Sequence, residues 1–407
     1  MNTPTTAAKS RQIVSTPALI GLALVTRILT DTGVQLFFPF LPIIAAGLGI
    51  TTVTLGQLVS ARSSTGLLSP VFGTLADKYG YRRIMRLGLF MAAVGYLLIA
   101  LNIHLWLTGA GMLLAGMGTF SFVPNLQAYL STRLPYQQRA RGLAIPEYGW
   151  ALSGIMGLWL MGELIEATSW QMPFYVVAAF CLLFYVIFGL LPPGSRPQPA
   201  KVKQQIPAKK VFFDLGVNWR SAWATLAVSM LAMFAGMGLF INYGSWLVDN
   251  FALGPAALGR VALILGAADL VGSGLVSVIG DKFGKRRLVV AGAVLGVAAF
   301  GLLPLWSVSL VTAVAAIVLA RFAFEVAVVA NIALISEQSP AQRGKLLTLG
   351  AAFALFGSTT ASLIGPAIYT QRGIGTMTSL SAGAFLIALV LIWRFVREPE
   401  GSGEAVG

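Results

Sequence analysis

The chain has one cysteine, Cys181, and one histidine, His104, in 407 residues. A lone cysteine excludes an internal disulfide and a cysteine-based zinc site. A lone histidine argues against a histidine metal cluster and a serine–histidine triad. Charge is equally scarce: 10% of residues are charged, against about 25% in soluble globular proteins. With 57% apolar residues and a mean hydropathy of +0.81, so few charges cannot solubilise a surface of this size. A soluble enzyme is therefore excluded, and so is a disordered chain, which needs the opposite composition. No G-x-x-x-x-G-K-[ST] run occurs, so ATP-driven work within this chain has no basis. Acids are scarcer than bases, 14 against 28, which leaves a net charge of +14. Where the bases fall decides what that excess means.

What the chain does have is apolar length. A spanning helix needs about 20 mostly apolar residues. Twelve such segments occur, near 17–41, 55–76, 84–101, 106–130, 142–164, 171–192, 221–248, 257–279, 288–305, 309–335, 346–368 and 377–395; they are numbered here as spans 1 to 12. The first is too long for a signal-peptide core and lacks a small-residue cleavage site after it, so a retained helix is expected. With the N-terminus placed in the cytoplasm, 23 of the 28 lysines and arginines fall in cytoplasmic tails and loops, and only Arg260 and Arg372 at outer ends. This is the positive-inside pattern. It puts both termini in the cytoplasm and makes the basic excess a topology signal, with no nucleic-acid partner. The proline-rich basic stretch 193–220 reads as a cytoplasmic linker between two six-helix bundles, 1–192 and 221–407.

The two bundles repeat. GTLADKYGYRR (Gly73 to Arg83) follows span 2, and SVIGDKFGKRR (Ser277 to Arg287) follows span 8, 204 residues later. Leu55-Gly56 and Leu258-Gly259, and Arg141-Gly142 and Arg343-Gly344, recur at nearly the same offset. A period of half the chain predicts an all-α integral membrane protein of two pseudo-symmetric bundles, the parallel repeat of secondary transporters.

GTLADKYGYRR resembles motif A of the major facilitator superfamily, and SVIGDKFGKRR its degenerate second copy. The resemblance covers almost the whole chain and implies the twelve-helix major facilitator fold. Gly73 and Gly80 suit a tight turn and close helix approach, and Gly284 is the second-copy counterpart of Gly80. Asp77 is expected to pair with Arg82 or Arg83 and to face the positive N-terminal end of span 11. Asp281, flanked by Arg286 and Arg287, is expected to do the same towards span 5. By the resemblance these contacts exist when the cytoplasmic side is closed and break when it opens.

Charges inside spans cost about 2.5–3.5 kcal/mol each and mark function by default. They are Arg27 and Asp31 (span 1), Arg62 (span 2), Glu147 (span 5), Asp269 (span 8), and Arg321 and Glu325 (span 10). Counted from the outer helix ends, Asp31 lies level with Arg62, and Asp269 with Arg321, so both are expected pairs. Arg27–Asp31 and Arg321–Glu325 are also i,i+4 neighbours. Glu147 reads as interfacial. Glu325, the deepest acid, and Asp31, on the first cavity helix of the superfamily, are the expected proton carriers; static salt bridges are the competing reading. Gln35, Asn125, Asn242 and Asn331 complete the candidate proton and substrate cavity, with Phe122 and Trp246 as aromatic candidates. Two departures stand out. The superfamily's frequent span-4 arginine is Met112, and the span-5 G-P-x-x-G-G element has Leu158 in place of proline.

The reading that follows is a secondary active transporter in the inner membrane, acting as a monomer. It works by alternating access and exports a small amphipathic or lipophilic molecule against protons, as the resemblance to the efflux branch implies. It needs no cofactor or metal. A proton symporter importing a sugar or organic anion is the alternative, since Arg27, Arg62 and Arg321 suit an anion. An intramembrane enzyme lacks a nucleophile–base pair, and a channel conflicts with the two-fold repeat.

Overall fold

A computed structural model describes residues 15–134, 138, 142–192, 219–339 and 342–397. Linker 193–218, Lys9, Arg11, Arg139, Arg141 and the side chain of Asp281 lie outside the described residues. Within them the chain is helical throughout. Span 1 is Thr16–Gln35, continued after a turn by Leu41–Leu48; span 2 is Thr52–Ser64, a 3-10 turn Thr65–Leu68, and Ser69–Tyr79. Spans 3 and 4 are Tyr81–Leu101 and Leu105–Arg133. Span 5 runs through a 3-10 turn Ile145–Tyr148, a helical turn Gly149–Leu152, a π-helical stretch Ser153–Leu158, and Trp159–Ala167. Spans 6 to 10 are Met172–Leu190, Trp219–Phe240 with Tyr243–Phe251, Pro255–Phe283, Lys285–Leu302 and Leu310–Glu337. Arg343–Phe395 holds spans 11 and 12, divided at Gly373, whose φ is 76°.

Local chemistry explains the breaks. Pro39 cannot donate to a helix ladder, so span 1 stops at Gln35 and resumes at Leu41 with Pro42 in its first turn, where proline is tolerated. Gly49, at φ 68°, ends that segment, and Thr51 caps span 2 by accepting from the Thr54 amide at 3.1 Å. Nine described helices are individually long and apolar enough to cross a bilayer, one of them holding spans 11 and 12. Spans 2 and 5 are not among the nine, because each is broken into shorter pieces. Each has a 3-10 turn near a proline, Pro70 or Pro146, and span 5 adds the π stretch. The lone histidine is a helix cap: His104 Nδ1 accepts from the Trp106 amide at 3.2 Å.

Small residues set the close contacts, as expected where lipid gives no drive for helices to associate. A Cβ on Gly118 would lie 2.5 Å from backbone of Gly88 and Ala92, joining spans 3 and 4. A Cβ on Gly266 would lie 2.7 Å from Ile155 N, joining spans 5 and 8 across the two halves. Large apolar side chains such as Val186, Val278 and Leu386 stay more than half exposed, as a lipid-facing surface requires.

The repeat found in sequence is a repeat in space. Gly80 and Gly284 both take positive φ, 95° and 85°, at matching turns, which glycine alone adopts without strain. Next to them Arg82 donates to the last carbonyls of span 6, at Leu191. Arg286 donates to those of span 12, at Trp393 O, 3.2 Å away. Each motif thus pins its own bundle together by placing a cation on a helix C-terminus. Gly73 departs from expectation: a Cβ there would meet nothing within 4 Å among the described residues, so it serves no close helix contact with them.

Candidate functional site

The halves meet tightly on the face opposite the basic loops. There Ser60 Oγ donates to Thr359 O at 2.9 Å, and a Cβ on Gly56 would strike Pro366 at 2.5 Å. Arg260 pairs with Glu163 at 3.1 Å. On the basic-loop face the motif segment Ser69–Tyr79 packs on spans 3 and 4 of its own half, and Cβ atoms at Gly73, Gly274 and Gly344 would meet open space. Among the described residues the halves thus meet closely on one face, while on the basic face the motif segment packs within its own half.

Asp77 is exposed here and accepts from Tyr81 OH at 3.1 Å. The expected pairing with Arg82 or Arg83 is corrected: no ion pair joins them among the described residues, because Arg82 is spent on span 6. Arg83 and Arg287 are exposed.

In the second half, Asp269 and Arg321 form the expected pair. Arg321 Nε and Nη2 donate to the two carboxylate oxygens of Asp269 at 2.5 Å each, with 1% and 5% of the residues exposed. Such a two-point bond satisfies a buried pair far better than a single contact. The guanidinium also sits 4.0 Å over the Phe240 ring. The expected Arg321–Glu325 pair does not form, since Asp269 already takes the guanidinium's fork. Glu325 Oε1 instead accepts from Ser273 Oγ at 2.5 Å.

In the first half, Arg27 pairs with Asp31 at 3.2 Å and reaches Glu147 at 3.5 Å. Glu147 is half exposed, accepts from Gln127 at 2.6 Å, and so links the buried pair to solvent. The expected Asp31–Arg62 pair is absent. Arg62 Nη2 donates to Val34 O at 3.1 Å and its guanidinium lies 4.6 Å from the Phe37 ring. The reason is the broken first span. Its outer end is Leu48 and not Pro39, so Asp31 sits deeper than a count from Pro39 implies, about 4.5 Å below Val34 along the axis. Arg62 Nη1 is left buried without a partner.

Gln35 bridges spans 1 and 5 by donating to Trp150 O at 3.0 Å and Ser153 Oγ at 2.5 Å. With Phe38, Tyr243, Asp269 and Arg321 it lines a narrow cavity between the halves of about 10 Å³, roughly the room of one water. Asn125, Asn242 and Asn331 do not line it. Asn125 donates to Ser121 O at 2.7 Å, Asn242 to Gly238 O at 2.7 Å, and Asn331 to Thr225 O and Ser229 Oγ on span 7. Phe122 and Trp246 pack edge-on against Phe188 and Phe251. Sequence reasoning passed over Ser273, Tyr243 and Gln127. Ser273 was within reach: it lies one turn beyond Asp269, at the depth of Glu325. Among the described residues no cluster suited to a metal occurs.

A family model described as Major Facilitator Superfamily matches residues 23–247 and 225–406. The MFS-type transporter YceJ of Bacillus subtilis is 24% identical over 89% of this chain and 92% of its own. The multidrug resistance protein MdtG of Escherichia fergusonii is 26% identical over 92% and 94%. The crystal structure of a D-xylose–proton symporter superposes with a TM-score of 0.77 at 15% identity, covering 93% of this chain and 97% of that one.

Proposed function

The chain belongs to the Major Facilitator Superfamily, a family of transporters rather than enzymes, and we propose that it exports a small amphipathic or lipophilic molecule against an inward flow of protons. Direction follows the relatives named for multidrug resistance. Both termini and the basic loops lie on the cytoplasmic side of the inner membrane in this reading, so the structure faces inward. The protein acts as a monomer.

The observation that carries the proton coupling is the partner of Glu325. Asp269 takes the arginine, and among the described residues Glu325 keeps only the Ser273 hydroxyl as a hydrogen-bond partner. A serine donates to a carboxylate and accepts from a carboxylic acid. The same contact therefore survives gain or loss of a proton by reversing its direction. An arginine partner lacks that freedom, because it can only donate. The Arg27–Asp31–Glu147 chain offers the first half a second route, in which Asp31 exchanges protons with the open face by way of the half-exposed Glu147. Asp269–Arg321, lining the narrow cavity with Gln35, is the fixed charge pair of the site.

The test is transport in proteoliposomes with a panel of lipophilic cations, neutral amphiphiles, sugars and organic anions, with and without a pH gradient. Gradient-driven movement of amphiphiles supports the proposal. Movement of sugars or organic anions alone contradicts it.

A further inference from the structure

A groove of about 260 Å³ opens on the flank of the first half, lined by Arg83, Arg86, Leu87 and Phe90 of span 3 and Tyr185 of span 6. It lies away from the charge clusters between the halves. We propose that it binds the headgroup of an anionic phospholipid, with the glycerol and acyl chains running down Leu87 and Phe90.

Depth comes first. Span 3 has 21 residues, about 31 Å of helix, matching the hydrocarbon core. Arg83 and Arg86 stand in its first two turns, so they lie at the headgroup boundary on the basic face, and Leu87 and Phe90 point into the lipid below them, 42% and 47% exposed.

Charge comes second. Neither arginine pairs with a carboxylate among the described residues, so two cations share one groove uncompensated. Arg86 is also held in place. Its Nε donates to Tyr185 O at 3.1 Å, and its guanidinium lies 4.2 Å from the Tyr185 ring. Gly189 makes room for it, since a Cβ there would sit 3.1 Å from Arg86 Cζ. The Nη groups are left to a ligand in a fixed orientation, which suits the two-point grip of guanidinium on phosphate.

The internal repeat supplies a control. At the 204-residue offset Arg83 corresponds to Arg287, but Arg86 corresponds to Val290 and Phe90 to Val294. The second half keeps the motif's arginines and lacks the groove's own. Neither topology nor the turn therefore requires Arg86.

The test is native mass spectrometry of the full chain exchanged into micelles with phosphatidylglycerol or phosphatidylethanolamine, and in a third arm with inorganic phosphate as competitor. Retention of phosphatidylglycerol over phosphatidylethanolamine is expected, with affinity roughly thirtyfold weaker in Arg83→Gln/Arg86→Gln, at about 1 kcal/mol per basic residue. Equal retention by the double variant overturns the proposal, as does displacement of the lipid by millimolar phosphate. If the double variant does not fold, a photoreactive residue in place of Phe90 in the otherwise unchanged chain decides. Capture of phosphatidylglycerol in preference to phosphatidylethanolamine upholds the site, and capture without preference overturns it.

Discussion

Asp269 and Glu325 lie near the same arginine, and only one of them holds it. The difference separates a structural residue from a working one. Arg321→Met strands Asp269 in the interior, and breaking a buried pair from one side costs about 3–5 kcal/mol. Pairing it with Asp269→Leu removes the stranded charge and recovers most of that loss. Arg62 differs, because it contacts a carbonyl and an aromatic face and no carboxylate. Arg62→Met strands nothing charged, so its cost is well below that of Arg321→Met. Thermal unfolding of the purified variants checks the order: Arg321→Met lowest, the double variant and Arg62→Met nearer the parent. An Arg62→Met as damaging as Arg321→Met contradicts this assignment.

At the scale of elements, the closed face depends on helices that touch through glycine. The Cβ of Gly266→Val meets Ile155 N and Ala151 O at 2.7 and 2.8 Å, and backbone cannot swing aside as a side-chain tip can. Spans 5 and 8 must then separate, so spin-label distances across the face opposite the basic loops widen. Unchanged distances contradict that role. Asp77 acts on the other face. Among the described residues its hydrogen-bond partner is Tyr81 alone, so Asp77→Asn leaves this state intact and weakens the one closed on the basic face by about 0.3–2 kcal/mol, the worth of a charge at a helix end. Distances across the basic mouth shift towards the open population and turnover slows; unchanged populations remove the gate from Asp77.

These two scales also show what the sequence could carry. The twelve spans, the repeat and the Asp269–Arg321 pair are legible because hydropathy, a 204-residue offset and counting along straight helices suffice. Span 8 is one unbroken helix, so residues at equal counts do meet spans 8 and 10 at equal depth. The same counting fails for Asp31 and Arg62, because FFPFLP breaks span 1 and moves its outer end to Leu48. It fails again for Glu325, where an i,i+4 neighbour loses its arginine to an acid on another helix. Side-chain competition of that kind depends on tertiary packing, which spacing in one chain does not encode. The asparagines show the same dependence on packing: Asn125 and Asn242 turn their amide nitrogens to carbonyls of their own helices, and Asn331 turns its own to span 7.

At the scale of the molecule, orientation and coupling remain the claims to test. Orientation is checked by replacing Cys181, placing a cysteine at position 203 and labelling intact cells. Protection from an impermeant thiol reagent is expected, and labelling from outside reverses the topology. Coupling is the central claim. A proton crossing 100 mV supplies about 2.3 kcal/mol, and only a group that changes protonation between the two faces can use it. The most direct measurement compares, for Glu325→Gln in proteoliposomes, substrate accumulation driven by a pH gradient with substrate exchange in its absence. The account predicts that accumulation is lost while exchange proceeds near the parent rate. Accumulation at the parent rate contradicts it and leaves Glu325 a packing residue held by Ser273.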